Sequence, residues 1–272
     1  MNSLITRILS ALAAVIVLFS LFYFLKDAGL KLLIVFAVLV GTWELNRVLF
    51  SKEKGSFHFI LFYFFNLIIF SLSCWLPEHS GIFFSAFFVL FSVITIVRNR
   101  ANPDLPHIEG LQAKAAMGFF YVGLLPSFAY QLLNVRQGVL WFLTMLCIVF
   151  AGDIGAYAAG LLLGEKKVMP LISPKKTFAG AIGGLLFSVV AGLSCSFLFP
   201  AKPMLYFIFL SLITAIVAQF GDYFESLLKR VADVKDSGGL MPGHGGVLDR
   251  IDGVLFACPI FLLGAILLEK LV

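Results

Sequence analysis

The residue types suited to phosphate chemistry gather near the end of the chain. In Gln219-Phe-Gly-Asp-Tyr-Phe-Glu-Ser-Leu-Leu-Lys-Arg230, helical spacing puts Asp222, Glu225, Ser226 and Lys229 on neighbouring turns of one face. A surface salt bridge would need only Glu225 and Lys229, and gives no reason for Asp222 at a membrane boundary. The next stretch, Val234-Lys-Asp-Ser-Gly-Gly-Leu-Met-Pro-Gly-His-Gly-Gly-Val-Leu-Asp-Arg-Ile-Asp-Gly253, has glycines at 238, 239, 243, 245 and 246. Such a loop has the backbone freedom to wrap an anion and turn its N–H groups toward phosphate oxygens. Asp249 and Asp252 follow at i, i+3, where the loop enters the last span, so both carboxylates can point the same way. Mg²⁺ is commonly held by one or two carboxylates, with water and substrate phosphate completing its shell; Asp222 and Asp249 would supply these if the last two spans pack together. His244, the histidine within this loop, either orients phosphate or acts in proton transfer, or else holds the loop.

Two further motifs precede these. Asp153, in Ala151-Gly-Asp-Ile-Gly-Ala-Tyr157, is an ionisable group within an apolar run, which is costly in a bilayer and marks a function or a structural ion pair with a residue such as Arg47. Around it Gly152, Ala156, Gly160 and Gly164 recur every four residues, a small-residue stripe read as helix packing. After that run comes Ile172-Ser-Pro-Lys-Lys-Thr-Phe-Ala-Gly180. Ser173 is expected to cap the next helix with Pro174 in its first turn, leaving Lys175 and Lys176 near a helix N-terminus. Cations beside exposed N–H groups form an anion site; a solvated basic flank is the plainer alternative.

These residues need elements that hold them at a membrane face. The chain has 272 residues, 61% hydrophobic and 13% charged, with a mean hydropathy of +1.02, so its solvent is lipid rather than water. Runs of about 20 apolar residues, the length that crosses a bilayer, predict an all-α polytopic protein of about nine spans. They lie near Ile8–Leu25, Leu30–Phe50, Phe57–Leu76, Ile82–Val97, Ala115–Leu133, Gly138–Leu163, Phe178–Pro200, Met204–Phe220 and Ile251–Val272. The first run is read as a retained span rather than a signal peptide. With nine spans, fifteen of the twenty Lys and Arg residues fall on the N-terminal face, which the positive-inside rule makes cytoplasmic. The chain is read as a single membrane domain, with helices 1–137 for packing and lipid contact and 138–272 carrying the chemistry.

Cys74, Cys147, Cys195 and Cys258 sit in or beside apolar runs without metal spacing, as small hydrophobes. The charge of +5 is spread over loops that flank spans, which suits anionic lipid and phosphorylated substrate rather than nucleic acid. No P-loop or GxGxxG is present.

Ser226-Leu-Leu-Lys-Arg230, Lys235-Asp236 and Pro242-Gly-His-Gly-Gly-Val-Leu-Asp-Arg-Ile-Asp252 closely resemble the C-terminal motif of the phosphatidate cytidylyltransferases, the CDP-diacylglycerol synthases. Asp153-x-Gly-Ala-Tyr157, Ser173-Pro-Lys-Lys-Thr177 and Trp43-Glu44 also look like this family, so the resemblance covers most of the chain. It implies that CTP and phosphatidate react to give CDP-diacylglycerol and pyrophosphate, with Mg²⁺, in the bacterial inner membrane, by a homodimer. A second cation is left open. Carried over, Asp222 and Asp249 would hold metal, with Asp153, Asp236 and Asp252 as supporting carboxylates. Ser173, Lys175, Lys176, Thr177, Lys229, Arg230, Lys235, His244 and Arg250 would bind phosphates, with Gly245 and Gly246 in the substrate loop; Lys229, His244 and Arg250 are also read as catalytic.

The chain departs from that pattern at Phe178-Ala179, where relatives often have Trp-Glu, at Leu161, where Arg is common, and at Met241. Glu165 is the acid placed to compensate for Ala179. Three rival readings follow: a weak family member, a CTP-dependent lipid kinase, and, more distantly, a transporter with Asp153 and Glu44 on an ion path.

Overall fold

The computed structural model describes residues 3–50, 56–101, 103–241, 243 and 245–271. Its elements are α1 (Ser3–Leu49), α2 (Phe57–Trp75), α3 (Ser80–Arg98), α4 (Leu105–Gly118), a π segment (Phe119–Leu124), α5 (Leu125–Leu132), α6 (Gly138–Leu163), α7 (Phe178–Ser196), α8 (Met204–Val231) and α9 (Leu248–Leu271). Among the described residues there is no sheet. Seven helices of the described residues, from Phe57–Trp75 to Leu248–Lys270, are long and apolar enough to cross a membrane, so this is a multi-pass membrane protein. The first two expected spans are the arms of α1, which breaks at Lys26, where φ is 52° and ψ is −128°.

Local chemistry explains the helix starts that differ from the sequence reading. The helix expected from Ala115 begins ten residues earlier, because the Asp104 side chain accepts from the His107 N–H at 3.2 Å and Pro106 fits the first turn. The last helix begins at Leu248 rather than Ile251, which brings Asp249 into its first turn. In the bilayer interior, where helix association gains little from hydrophobic burial, shape decides packing.

The chain divides into two compact units, Met1–Tyr130 with Ala232–Arg250, and Gln131–Val231 with Ile251–Val272. The first is built on phenylalanine. Phe62 and Phe119 stack at 5.5 Å, Phe91 meets Phe119 edge-on at 5.6 Å, and all three are fully buried. Gly118 is small because the Phe62 ring lies where its Cβ would be.

The second unit is centred on buried Trp141, stacked on Phe199 at 4.3 Å and on Phe207 at 5.7 Å. Its tightest seam joins α6 and α7, where the small-residue stripe is met by a second one. A Cβ on Gly184 would lie 3.0 Å from the Gly152 carbonyl oxygen and 3.2 Å from Ala156 Cβ, and one on Gly180 would lie 2.8 Å from the Ala156 carbonyl oxygen. Ser188 closes the seam by donating to the Ile148 carbonyl at 2.9 Å. The stripe is therefore packing, as its spacing implies.

Gly184→Ala should thus push α6 from α7 at a cost of about 1–3 kcal/mol, seen as a lower thermal unfolding midpoint in detergent. Gly81→Ala, which meets nothing within 4 Å, should leave the midpoint unchanged. Equal midpoints for both variants would contradict the close-approach account.

Candidate active site

In the second unit, a short hairpin carries the two lysines. Lys167 bridges Thr177, the Val168 N–H donates to the Lys176 carbonyl at 3.2 Å, and the Phe178 N–H donates to the Lys166 carbonyl at 3.0 Å. This bridge places Thr177, not Ser173, at the N-cap of α7: its hydroxyl accepts from the Gly180 N–H at 3.1 Å. Ser173 instead sits in the turn before the helix, its N–H bonded to the Met169 carbonyl at 2.9 Å. The hairpin decides between two cap-type residues that local sequence leaves equivalent. Lys175 and Glu165 are exposed.

Lys176 is held. Its ammonium lies 2.6 Å from Asp222 Oδ2 and 4.1 Å from the centre of the Tyr223 ring. With side chains 28% and 37% exposed, such a pair contributes at most about 1 kcal/mol, so stability alone does not account for it. Asp252 completes the cluster, close enough to feel the charges of Asp222, Asp153 and Lys176; Asp153 itself is exposed. A close helix approach brings Asp252 there: a Cβ on Gly221 would lie 2.5 Å from the Asp252 carbonyl oxygen and 3.0 Å from Phe256 Cβ. Gln219 fixes α8 to α7 by donating to the Ala181 carbonyl at 3.0 Å.

The rest of the α8 face is engaged as its spacing implies. Ser226 donates to Asp222 Oδ1 at 3.4 Å, and Lys229 pairs with the buried carboxylate of Glu225. Arg230 Nε donates to the Ile172 carbonyl at 3.2 Å, tying the end of α8 to the lysine hairpin.

In the first unit, the glycine-rich loop folds on two carboxylates. Met241 N–H donates to the Gly245 carbonyl at 3.0 Å, and Gly243 and Gly245 take φ of 77° and 86°, a conformation in which side chains are strained. Asp249 Oδ2 accepts from the Ser237 N–H and hydroxyl, both at 3.0 Å, and from the Gly246 N–H at 2.7 Å. Glu44, 4% exposed, accepts from the Val247 N–H at 3.1 Å and the Leu248 N–H at 2.8 Å.

The amides of Ser237, Gly246, Val247 and Leu248 thus face the protein's own carboxylates, where the sequence led us to expect phosphate. Gly238 and Gly246 make this possible, since the Glu44 carboxyl occupies the space of their Cβ atoms. Lys235, Asp236 and Arg250 are exposed. Pro242 and His244 lie outside the described residues. Ser237 and Glu44 are the partners missing from the sequence-derived site; Gly238, next to Ser237, was a signal for close approach, but not for what approaches.

Chemically, the second-unit cluster offers half-exposed carboxylate oxygens beside a fixed ammonium. Among the described residues no group of three or more His, Cys, Asp or Glu side chains could hold a metal ion alone. Mg²⁺ needs no such cage, and the all-oxygen donors at Asp222 and Asp252 fit it better than zinc.

If Thr177 is the cap, Thr177→Ala should destabilise the protein by about 1 kcal/mol, while Thr177→Ser and Ser173→Ala should unfold at nearly the wild-type temperature. A larger drop for Ser173→Ala than for Thr177→Ala would reverse the assignment.

Comparison with known proteins places the chain. The model of the Cytidylyltransferase family matches residues 5–267. The phosphatidate cytidylyltransferase of Bacillus subtilis (strain 168) is 40% identical over 143 residues, 51% of this chain and 52% of that protein. That of Brucella suis biovar 1 (strain 1330) is 41% identical over 157 residues, 57% of this chain and 58% of the relative. That of Staphylococcus aureus (strain COL) is 33% identical over 205 residues, 72% and 75% of the two chains. The matches thus span little more than half the length of the first two relatives. With nearly its whole length matched by the family model, the chain belongs to the cytidylyltransferase family.

Proposed function

We propose that the protein is a phosphatidate cytidylyltransferase, which converts CTP and phosphatidate to CDP-diacylglycerol and pyrophosphate. The observation that carries this reading is the cluster of Asp153, Lys176, Asp222 and Asp252: residues from four separate stretches of sequence come together, Asp222 paired with Lys176 and Asp252 near enough to both, and to Asp153, to feel their charges. In the reaction, a phosphatidate oxygen attacks the α-phosphorus of CTP, the bond from that phosphorus to the β-phosphate oxygen breaks, and the electron pair leaves with pyrophosphate. No covalent nucleophile is required. The protein's task is to position two anions and neutralise charge on phosphate oxygens.

Lys176 has the fixed ammonium for that task, aligned by Asp222 and Tyr223. Exposed Lys175, beside it, adds a second positive charge to draw in phosphate. Mg²⁺ held at Asp222, with Asp252 and Asp153 in support, would supply further neutralisation of phosphate charge. The same role for Asp249 rests on the family resemblance, and its variant tests it separately. Lys235, Arg250 and His244 keep proposed phosphate roles on the same ground. The face bearing fifteen of the twenty Lys and Arg residues is proposed to be cytoplasmic in a bacterial inner membrane, where CTP is available and phosphatidate can enter from the adjoining leaflet. A homodimer is proposed from the resemblance.

With purified protein, phosphatidate and CTP, formation of CDP-diacylglycerol should require Mg²⁺. Asp222→Asn and Asp249→Asn should each lower kcat/KM about a hundredfold or more. Lys175→Ala should chiefly raise the KM for the phosphorylated substrates, by about tenfold. Near-normal turnover in both Asn variants would remove the carboxylates from the reaction.

A further inference from the structure

Glu44 is a buried carboxylate on α1, and the reaction leaves it without a task. A buried carboxylate is tolerated only where donors replace its water. Here the donors come from the start of α9. The first N–H groups of any helix lack intrahelical acceptors, and the residue preceding the helix usually supplies one from a polar side chain. That residue is Val247, which has none. Glu44 supplies both: Oε1 accepts from the Val247 N–H at 3.1 Å and Oε2 from the Leu248 N–H at 2.8 Å. Its negative charge also lies at the positive end of the helix dipole.

The same carboxylate reaches into the glycine-rich loop. It packs where Gly238 and Gly246 have no side chains. Ser237 Oγ lies 3.5 Å from Glu44 Oε2 and 3.0 Å from Asp249 Oδ2. A hydroxyl has one proton, so it donates to Asp249 at the shorter distance. Glu44 therefore holds the amides, and Asp249 holds Ser237 and the Gly246 N–H. Removing Glu44 would free the segment that anchors Asp249.

We infer that Glu44 is a positioning residue: a helix cap contributed by α1, more than 200 positions away in sequence, that fixes the loop of residues 237–248 and through it the orientation of Asp249. This deepens the proposed cytidylyl transfer and rests on it for the catalytic consequence. It also accounts for Glu44 without an ion path.

The test uses the full chain in lipid nanodiscs, comparing wild type with Glu44→Gln, Glu44→Ala and Leu45→Ala. Leu45, the next residue on α1, is 1% exposed, so its truncation reports general destabilisation. An amide side chain turns one donor toward a backbone donor, so Glu44→Gln should speed hydrogen–deuterium exchange at Val247 and Leu248 by about tenfold or more. It should also reduce kcat, at an unfolding midpoint no lower than that of Leu45→Ala. Leu45→Ala should lower the midpoint without loosening the loop. If Glu44→Gln and Glu44→Ala leave loop exchange unchanged, or loosen it no more than Leu45→Ala does, the cap is refuted. Loosened loops with unchanged kcat would refute the positioning role. Loosened loops in a protein whose wild type makes no CDP-diacylglycerol would uphold the cap and sink the enzymatic reading instead.

Discussion

A carboxylate within an apolar helical bundle must find its donors in the protein, because lipid offers none. That constraint organises both units. In the first, Glu44 and Asp249 are satisfied by loop amides and the Ser237 hydroxyl, and the loop takes its shape from satisfying them. In the second, Asp222 is matched by Lys176, which is set in place by a hairpin that also starts α7. The polar residues are thus mutually fixed before any substrate arrives, which is what catalysis by positioning requires.

Glycine is the complement of that constraint. Residues 238 and 246 lack side chains so that Glu44 can reach its amides, residue 221 so that α8 can approach α9 at Asp252, and residues 180 and 184 so that α7 can lie against α6 and present the hairpin. These glycines serve contact distance. Gly243 and Gly245 are different, since their positive φ makes the turn itself.

Much of this was legible in the sequence. Apolar runs bounded by Pro, Gly and charge located the helices from α2 onward, the four-residue stripe located the α6–α7 seam, and helical spacing gave the Glu225–Lys229 pair. The Asp104-Leu-Pro start of α4 carried a cap signal that the apolar run outweighed. The break at Lys26 was legible as well, since Lys26, Asp27 and Gly29 interrupt the apolar runs that end at Leu25 and resume at Leu30. The loop amides were expected to face phosphate, because a glycine-rich sequence shows that a backbone can wrap an anion but not which anion. Only folding brings Glu44 to residues 247 and 248, and a contact of that sequence separation leaves no local pattern.

The most direct measurement gives the purified protein CTP labelled separately at the α- and γ-phosphates, with phosphatidate and Mg²⁺, and follows each label into the lipid fraction. Cytidylyl transfer puts the α label in lipid and leaves the γ label in pyrophosphate, which is the result this account predicts. The γ label in lipid, or neither label with folded protein, would contradict it.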